Sequence, residues 1–191
     1  MTPLTRSFFA RDAVVLARAL VGTFVVVRGE EGVQVARITE TEAYRGPTDL
    51  ACHARVGLTK RTRTMFGPAG HAYVILIYGM YDCFNVVGGA KERGHAVLVR
   101  AVEPVTEVVG STSGPGRLTR ALGITRADND ADLTSAKSRV FIAPRTRRPR
   151  ITITPRVGVA YAGEWALRPW RFSDADSTHV SRPSPKSIGL G

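Results

Sequence analysis

Cysteine is almost missing from this 191-residue chain: Cys52 and Cys83 are the only two. Two thiols cannot build a disulfide scaffold, and nothing else in the sequence points to secretion. Acidic residues are scarce too, 16 against 27 lysines and arginines. Long apolar runs are absent. The longest, Ala13 to Val27, is interrupted by Arg18 and Gly22 and is too short to span a bilayer. Arg11 and Asp12 fall where a signal peptide needs an unbroken apolar stretch. No Gly-x-Gly-x-x-Gly follows a strand-like segment and there is no Walker loop, so no nucleotide cofactor is expected. Cys52, His53 and Cys83 lack metal-ligand spacing. The expectation is a cytoplasmic protein, nucleoid-associated if bacterial, with no metal, no cofactor and no membrane partner.

What is present defines the class. A hydrophobic fraction of 43% excludes a wholly disordered chain, and the length suits one domain with a real core. The net charge of +11 implies a polyanionic partner, nucleic acid before membrane. The bases are clustered. Leu50 to Tyr81 holds Arg55, Lys60, Arg61 and Arg63 with no acid, and Arg139 to Arg156 holds six arginines with no acid. Such stretches suit phosphate, which arginine can grip through two parallel hydrogen bonds. A solvated basic face is the plainer alternative. Arg117, behind Gly114-Pro115-Gly116 at a helix start, is a weaker phosphate candidate.

Periodicity predicts a helix over Ala10–Leu20, stopped by Gly22, and hairpin strands over Thr23–Arg28 and Val33–Glu42. Further strands are expected at His71–Tyr78, Cys83–Val87, Ala96–Ala101, Ile151–Thr154 and Arg156–Tyr161. A short helix is expected within Gly114–Gly123. Strands arriving as hairpins argue for an α+β fold: one compact domain with a mostly antiparallel sheet and short flanking helices. Residues 1–175 are assigned to that domain, and 176–191 to a polar C-terminal tail, partly disordered.

Two segments carry chemistry. In Thr39-Glu40-Thr41-Glu42-Ala43-Tyr44, period-2 alternation puts Glu40, Glu42 and Tyr44 on one face, with His53 a loop away. A carboxylate there can act as general base and the rings can stack on a planar ligand. A solvent-facing strand end is the bland reading. In Met65 to Val87, two strands flank a tight turn bearing Tyr78, Met80 and Tyr81. An exposed aromatic tip among basic loops can wedge between base steps; alternatively the tyrosines are core.

Taken in order, the motifs resemble the alkyladenine (3-methyladenine) DNA glycosylase family. They are Glu40-Thr41-Glu42-Ala43-Tyr44-x-Gly46-Pro47-x-Asp49-x-Ala51-x-His53, Met65-Phe66, Tyr78-Gly79-Met80-Tyr81 with Asn85, Val97-Leu98-Val99-Arg100-Ala101-x-Glu103-Pro104, Gly114-Pro115-Gly116, and Arg156-Val157-Gly158-Val159 with Ala162-Gly163-Glu164-Trp165. The match spans about Leu4 to Phe172. The resemblance implies an enzyme that flips an alkylated or deaminated purine out of double-stranded DNA and hydrolyses its N-glycosidic bond, leaving an abasic site. It implies that Glu42 activates water, with Arg100 beside it. Tyr44, His53, Ile75 and Asn85 would line the base pocket, Asn85 excluding guanine. Tyr78 would fill the gap in the duplex beside Met80, in a protruding, intercalating hairpin. Arg55, Arg61, Arg63 and Arg117 are expected on the DNA backbone, and the chain is expected to act as a monomer. Ile75 departs from the family, where a second pocket tyrosine stands. A non-catalytic DNA- or RNA-binding domain and a small-molecule hydrolase with a Glu/His pocket are the competing readings.

Overall fold

The spine of the molecule is β2 (Gly32–Arg45), in a computed structural model that describes residues 1–30, 32–77 and 79–184. Along one edge β2 changes partner. β1 (Phe24–Gly29) pairs from Phe24↔Arg37 to Gly29↔Gly32, and β8 (Arg171–Asp174) takes over from Glu40↔Ser173 to Glu42↔Arg171. Along the other edge β5 (His95–Pro104) runs from Ala36↔Pro104 to Arg45↔His95. Beyond β5 lie β4 (Tyr81–Gly88) and then β3 (Ala72–Ile77). β6 (Val140–Ala143) adds to β1, and β7 (Ile151–Thr154) to β8. All these pairings are antiparallel. With α1 (Arg6–Phe9), α2 (Ala13–Leu20) and α3 (Pro115–Ala121), this is the expected α+β class.

Strand alternation sorts the sheet into two faces. Ala43, Val74, Phe84, Val86, Val97 and Val99 go into the main core with Leu16 and Leu20 of α2. Tyr73 and Ile75 of β3, Cys83 and Asn85 of β4, and Ala96, Leu98 and Arg100 of β5 go to the opposite face and line a pocket. Two register shifts interrupt β2–β5, between Ile38 and Glu40 and between Glu40 and Thr41. The second leaves Arg100 without an opposite residue, between the pairs Glu40↔Ala101 and Thr41↔Val99. Bulges of this kind re-aim side chains and gather beside functional sites.

The structure corrects several expectations. The first helix divides: α1 ends at Phe9, and α2 begins at Ala13 because the Asp12 side chain caps it by accepting from Val14 N–H at 2.9 Å. Arg156–Tyr161 is not a strand. Arg156 is instead drawn into the interior by Asp49, and the chain then enters a 3₁₀ segment over Ala160–Leu167. β6 and β8 were not expected. Only Arg156 of the basic run from Arg139 to Arg156 is buried, but several of the others have partners within the protein. Arg139 pairs with Asp128 at 2.8 Å and Arg150 with Asp176 at 2.5 Å, and Arg145 donates to the Ala19 and Val21 carbonyls. The acids were distant in sequence, which made the run look unpaired.

Candidate active site

The Glu40–Tyr44 segment is not a solvent-facing strand end: Glu40 and Glu42 are both 0% exposed. Their surroundings differ. Glu40 takes four donors: Arg100 Nε at 3.0 Å, Arg171 Nε at 2.6 Å, Ser181 Oγ at 2.8 Å and Ser181 N–H at 2.6 Å. Three of these donors converge on Oε1 and one on Oε2, and none of the groups that hold Glu40 is a strand-end aromatic of the pocket. Glu42 accepts two hydrogen bonds, from Val157 N–H at 2.7 Å and Tyr44 O–H at 3.0 Å, and forms an ion pair with Arg100 Nη1 at 3.3 Å. With two hydrogen bonds on about four lone-pair positions, Glu42 keeps acceptor capacity open.

Charge is balanced within the cluster. Burial works against the Arg100 cation, but Glu42, Glu40 and Tyr44 outweigh it and hold its pKa above the ordinary value. Burial and the Glu42 charge push the Tyr44 phenol well up, so it stays protonated and donates. Behind Tyr44 lies Arg156, whose guanidinium is 4.9 Å from the Tyr44 ring and 5.0 Å from the Trp170 ring. It grips Asp49 through two hydrogen bonds of 2.6 and 2.9 Å, with both side chains fully buried. This pair fixes the chain before Val157, and so the N–H that reaches Glu42.

The pocket beside this cluster has a volume of about 270 Å³. Its lining brings together Tyr44, His53, Ile75, Asn85 and Arg100, all expected, with Tyr73, Val157, Gly158 and Val159, which were not. Glu42 is not in the lining. Its three partners are: Tyr44, Arg100 and Val157 all face the pocket, so the carboxylate sits directly behind the wall. Asn85 Nδ2 donates to the Tyr73 carbonyl at 3.0 Å and the Cys83 carbonyl at 3.3 Å, which leaves Oδ1 for a ligand. Tyr73 reaches His53 Nδ1 at 3.5 Å and meets its ring edge-on at 6.3 Å. Burial, and then the Arg61 and Arg55 cations, lower the His53 pKa and favour the neutral imidazole. Burial also raises the Tyr73 phenol to about 12 and the Cys83 thiol to about 11.

Around the site, Arg55, Arg61, Arg63 and Arg117 are exposed. Met80, at the turn between β3 and β4, is 65% exposed, and Tyr81 43%. Tyr78 lies outside the described residues. Among the described residues no helix is long and apolar enough to cross a membrane.

A small, largely apolar cavity with aromatic walls and a buried carboxylate behind them defines a site for one flat heterocycle beside a potential base. Sequence comparison gives the family. The methylpurine-DNA glycosylase (MPG) model matches residues 7–178. A protein of Myxococcus xanthus (strain DK1622) is 54% identical over 191 residues, covering 97% of this chain and 96% of its own. One of Legionella pneumophila (strain Paris) is 46% identical, covering 95% and 100%. One of Methanocella arvoryzae is 45% identical, covering 98% and 100%. All three are provisionally named 3-methyladenine DNA glycosylases. The chain belongs to the methylpurine-DNA glycosylase family. It is accordingly a DNA glycosylase, a repair hydrolase whose substrate is damaged DNA.

Proposed function

We propose that the pocket receives an alkylated or deaminated purine flipped from duplex DNA, and that Glu42 activates the water that displaces it. The observation that carries this reading is the open acceptor capacity of a buried Glu42 whose two hydrogen-bond donors and one ion-pair partner all belong to the pocket wall. Breaking the C1′–N9 bond builds positive charge on the sugar. An anionic Glu42 favours that charge and takes a proton from the attacking water, whose oxygen bonds to C1′ as the base departs. The products are a free base and an abasic site. Alkylation at N3 or N7 makes the purine a cation and a better leaving group. Arg100, paired with Glu42 at 3.3 Å, keeps the carboxylate oriented.

Tyr44 and His53 supply the faces between which the base lies, with Ile75 and Tyr73 completing the walls. Asn85 crowds the exocyclic amine of guanine, since an amide tied to two backbone carbonyls cannot swing aside. A neutral His53 spares a cationic base a like charge. Flipping leaves a gap in the stack, at a cost of a few kcal/mol that is least for damaged bases. Met80 at the exposed turn, together with Tyr78, fills it, while Arg55, Arg61, Arg63 and Arg117 hold phosphates. Every wall of the pocket comes from one chain, so a monomer suffices.

The test is incubation of the protein with duplexes holding a single 7-methylguanine, 3-methyladenine or hypoxanthine. Release of the free base, with alkali-labile abasic sites, is expected. Saturable binding to these duplexes without base release from any of them would replace this reading with that of a non-catalytic binding domain.

A further inference from the structure

Beside the base pocket lies a second cleft of about 270 Å³ whose lining includes Tyr81, Arg100, Ser113, Pro115, Arg117 and Arg182. It meets the base pocket at Arg100 and Pro115, which line both. We infer that this cleft is the seat of a phosphate flanking the flipped nucleotide, and that Arg182 of the C-terminal segment is one of its ligands. The inference rests on the base-flipping reading and adds a residue to it.

Charge supports an anion there. Arg100 is already matched: Glu40 and Glu42 balance Arg100 and Arg171. Arg117 and Arg182 are exposed, carry no ion pair among the described residues, and face a cleft with no carboxylate in its lining. With its base in the pocket and its sugar at the Arg100–Pro115 junction, a nucleotide has a phosphodiester one bond beyond the sugar, at the cleft.

Arg182 is also held in place. Arg171 Nη2 donates to the carbonyls on both sides of it, Ser181 O at 3.3 Å and Pro183 O at 2.8 Å. Ser181 is anchored through its N–H and Oγ to Glu40. The expected boundary at 175 thus divides a segment that, to Ser184, straps across the buried end of β2. Residues 185–191 lie outside the described residues. The opposite side of the cleft is equally fitted. A Cβ on Gly116 would come within 2.7 Å of Tyr81 Cβ, so any larger residue displaces the ring.

The experiment is a double-mutant cycle. The full-length protein and Arg182→Gln are tested on a lesion duplex in which each phosphate flanking the lesion is replaced, one at a time, by a neutral methylphosphonate. At one position, replacement should weaken lesion binding by the wild type about tenfold, as for a charge-assisted hydrogen bond. Arg182→Gln should cost as much, and the two together no more than either alone. Arg182→Lys should recover part of the loss, with an unchanged melting temperature in both variants. Losses that multiply at every flanking position would overturn the assignment. A wild type that binds but releases no base would instead sink the glycosylase mechanism while leaving the cycle readable.

Discussion

Glu42→Gln separates chemistry from architecture at this site, and the structure sets both magnitudes. The side chain keeps its size, but one of its two terminal atoms becomes a donor. If the amide oxygen faces Tyr44 and Arg100, the new NH₂ confronts the Val157 N–H. If it faces Val157, the NH₂ confronts Arg100. Either way a buried donor loses its acceptor, at a cost of about 1–3 kcal/mol. For a chain of this size each kcal/mol lowers Tm by about 2–4 °C. The expected loss is therefore roughly 2–12 °C, seen by calorimetry. The variant should still fold and bind lesion duplex, because phosphate contacts and pocket walls are untouched. Its single-turnover base release should fall by about 10²–10⁴-fold, the usual worth of a general base. A rate within a few-fold of wild type, measured below the variant's Tm, would remove Glu42 from the mechanism.

Ile75→Tyr should raise release of hypoxanthine relative to a 7-alkylguanine, because Ile75 lines the pocket and a ring there adds stacking of about 1–3 kcal/mol per base; unchanged relative rates in a folded variant would show that position 75 does not meet the base. His53 has a pKa below the ordinary 6.5 through burial and then the Arg61 and Arg55 charges. Its unfolded form therefore takes up a proton first, and its contribution to stability is intact above pH 6.5 and lost as pH falls through the folded value. Arg61→Gln should move the His53 titration upward, still short of 6.5, in an NMR titration, and no movement would refute the coupling. Gly46→Ala should cost at least the ~1–2 kcal/mol of a left-handed conformation, since φ is +81° and its Cβ would lie 2.4 Å from the Arg93 carbonyl oxygen; a Tm within 1–2 °C of wild type, on the scale of ~2–4 °C per kcal/mol, would contradict that geometry.

The sequence was most legible where alternation and turn chemistry coincide. The strands of β1 through β5 were found because runs of branched and aromatic residues lie between glycine-bearing turns. β6 was missed because Val140–Ala143 is four residues with no alternation to read. β8 was missed because Arg171 and Asp174 look like solvent residues, yet both are buried by their ion pairs. The same blindness to distant polar pairing explains the site. Glu42, Tyr44, Arg100, His53 and Asn85 stand in motifs, and the structure brings them together. Arg156 stands in a motif too, but its partner Asp49 is 107 residues away, and Ser181 reaches Glu40 from 141 residues away with no local period to mark it. Tyr73 was not singled out, because its parity is that of any buried strand residue. It is buried, but against the pocket rather than the main core.

The strap across β2 also fixes a timetable. Glu40 leaves the ribosome 60 residues ahead of Arg100, 131 ahead of Arg171 and 141 ahead of Ser181. At about 5–20 residues per second, the interval between Glu40 and Ser181 is roughly 7–28 s. A nascent chain that has reached Arg100 but not Arg171 holds two carboxylates against one guanidinium, an excess charge that opposes closing the sheet over them. The strands that line the pocket are all made by then, but the buried Glu40–Glu42 pair is not balanced. A product truncated before Arg171 thus carries the strands of the pocket while Glu40 still lacks the partners that the last strand and the segment after it supply.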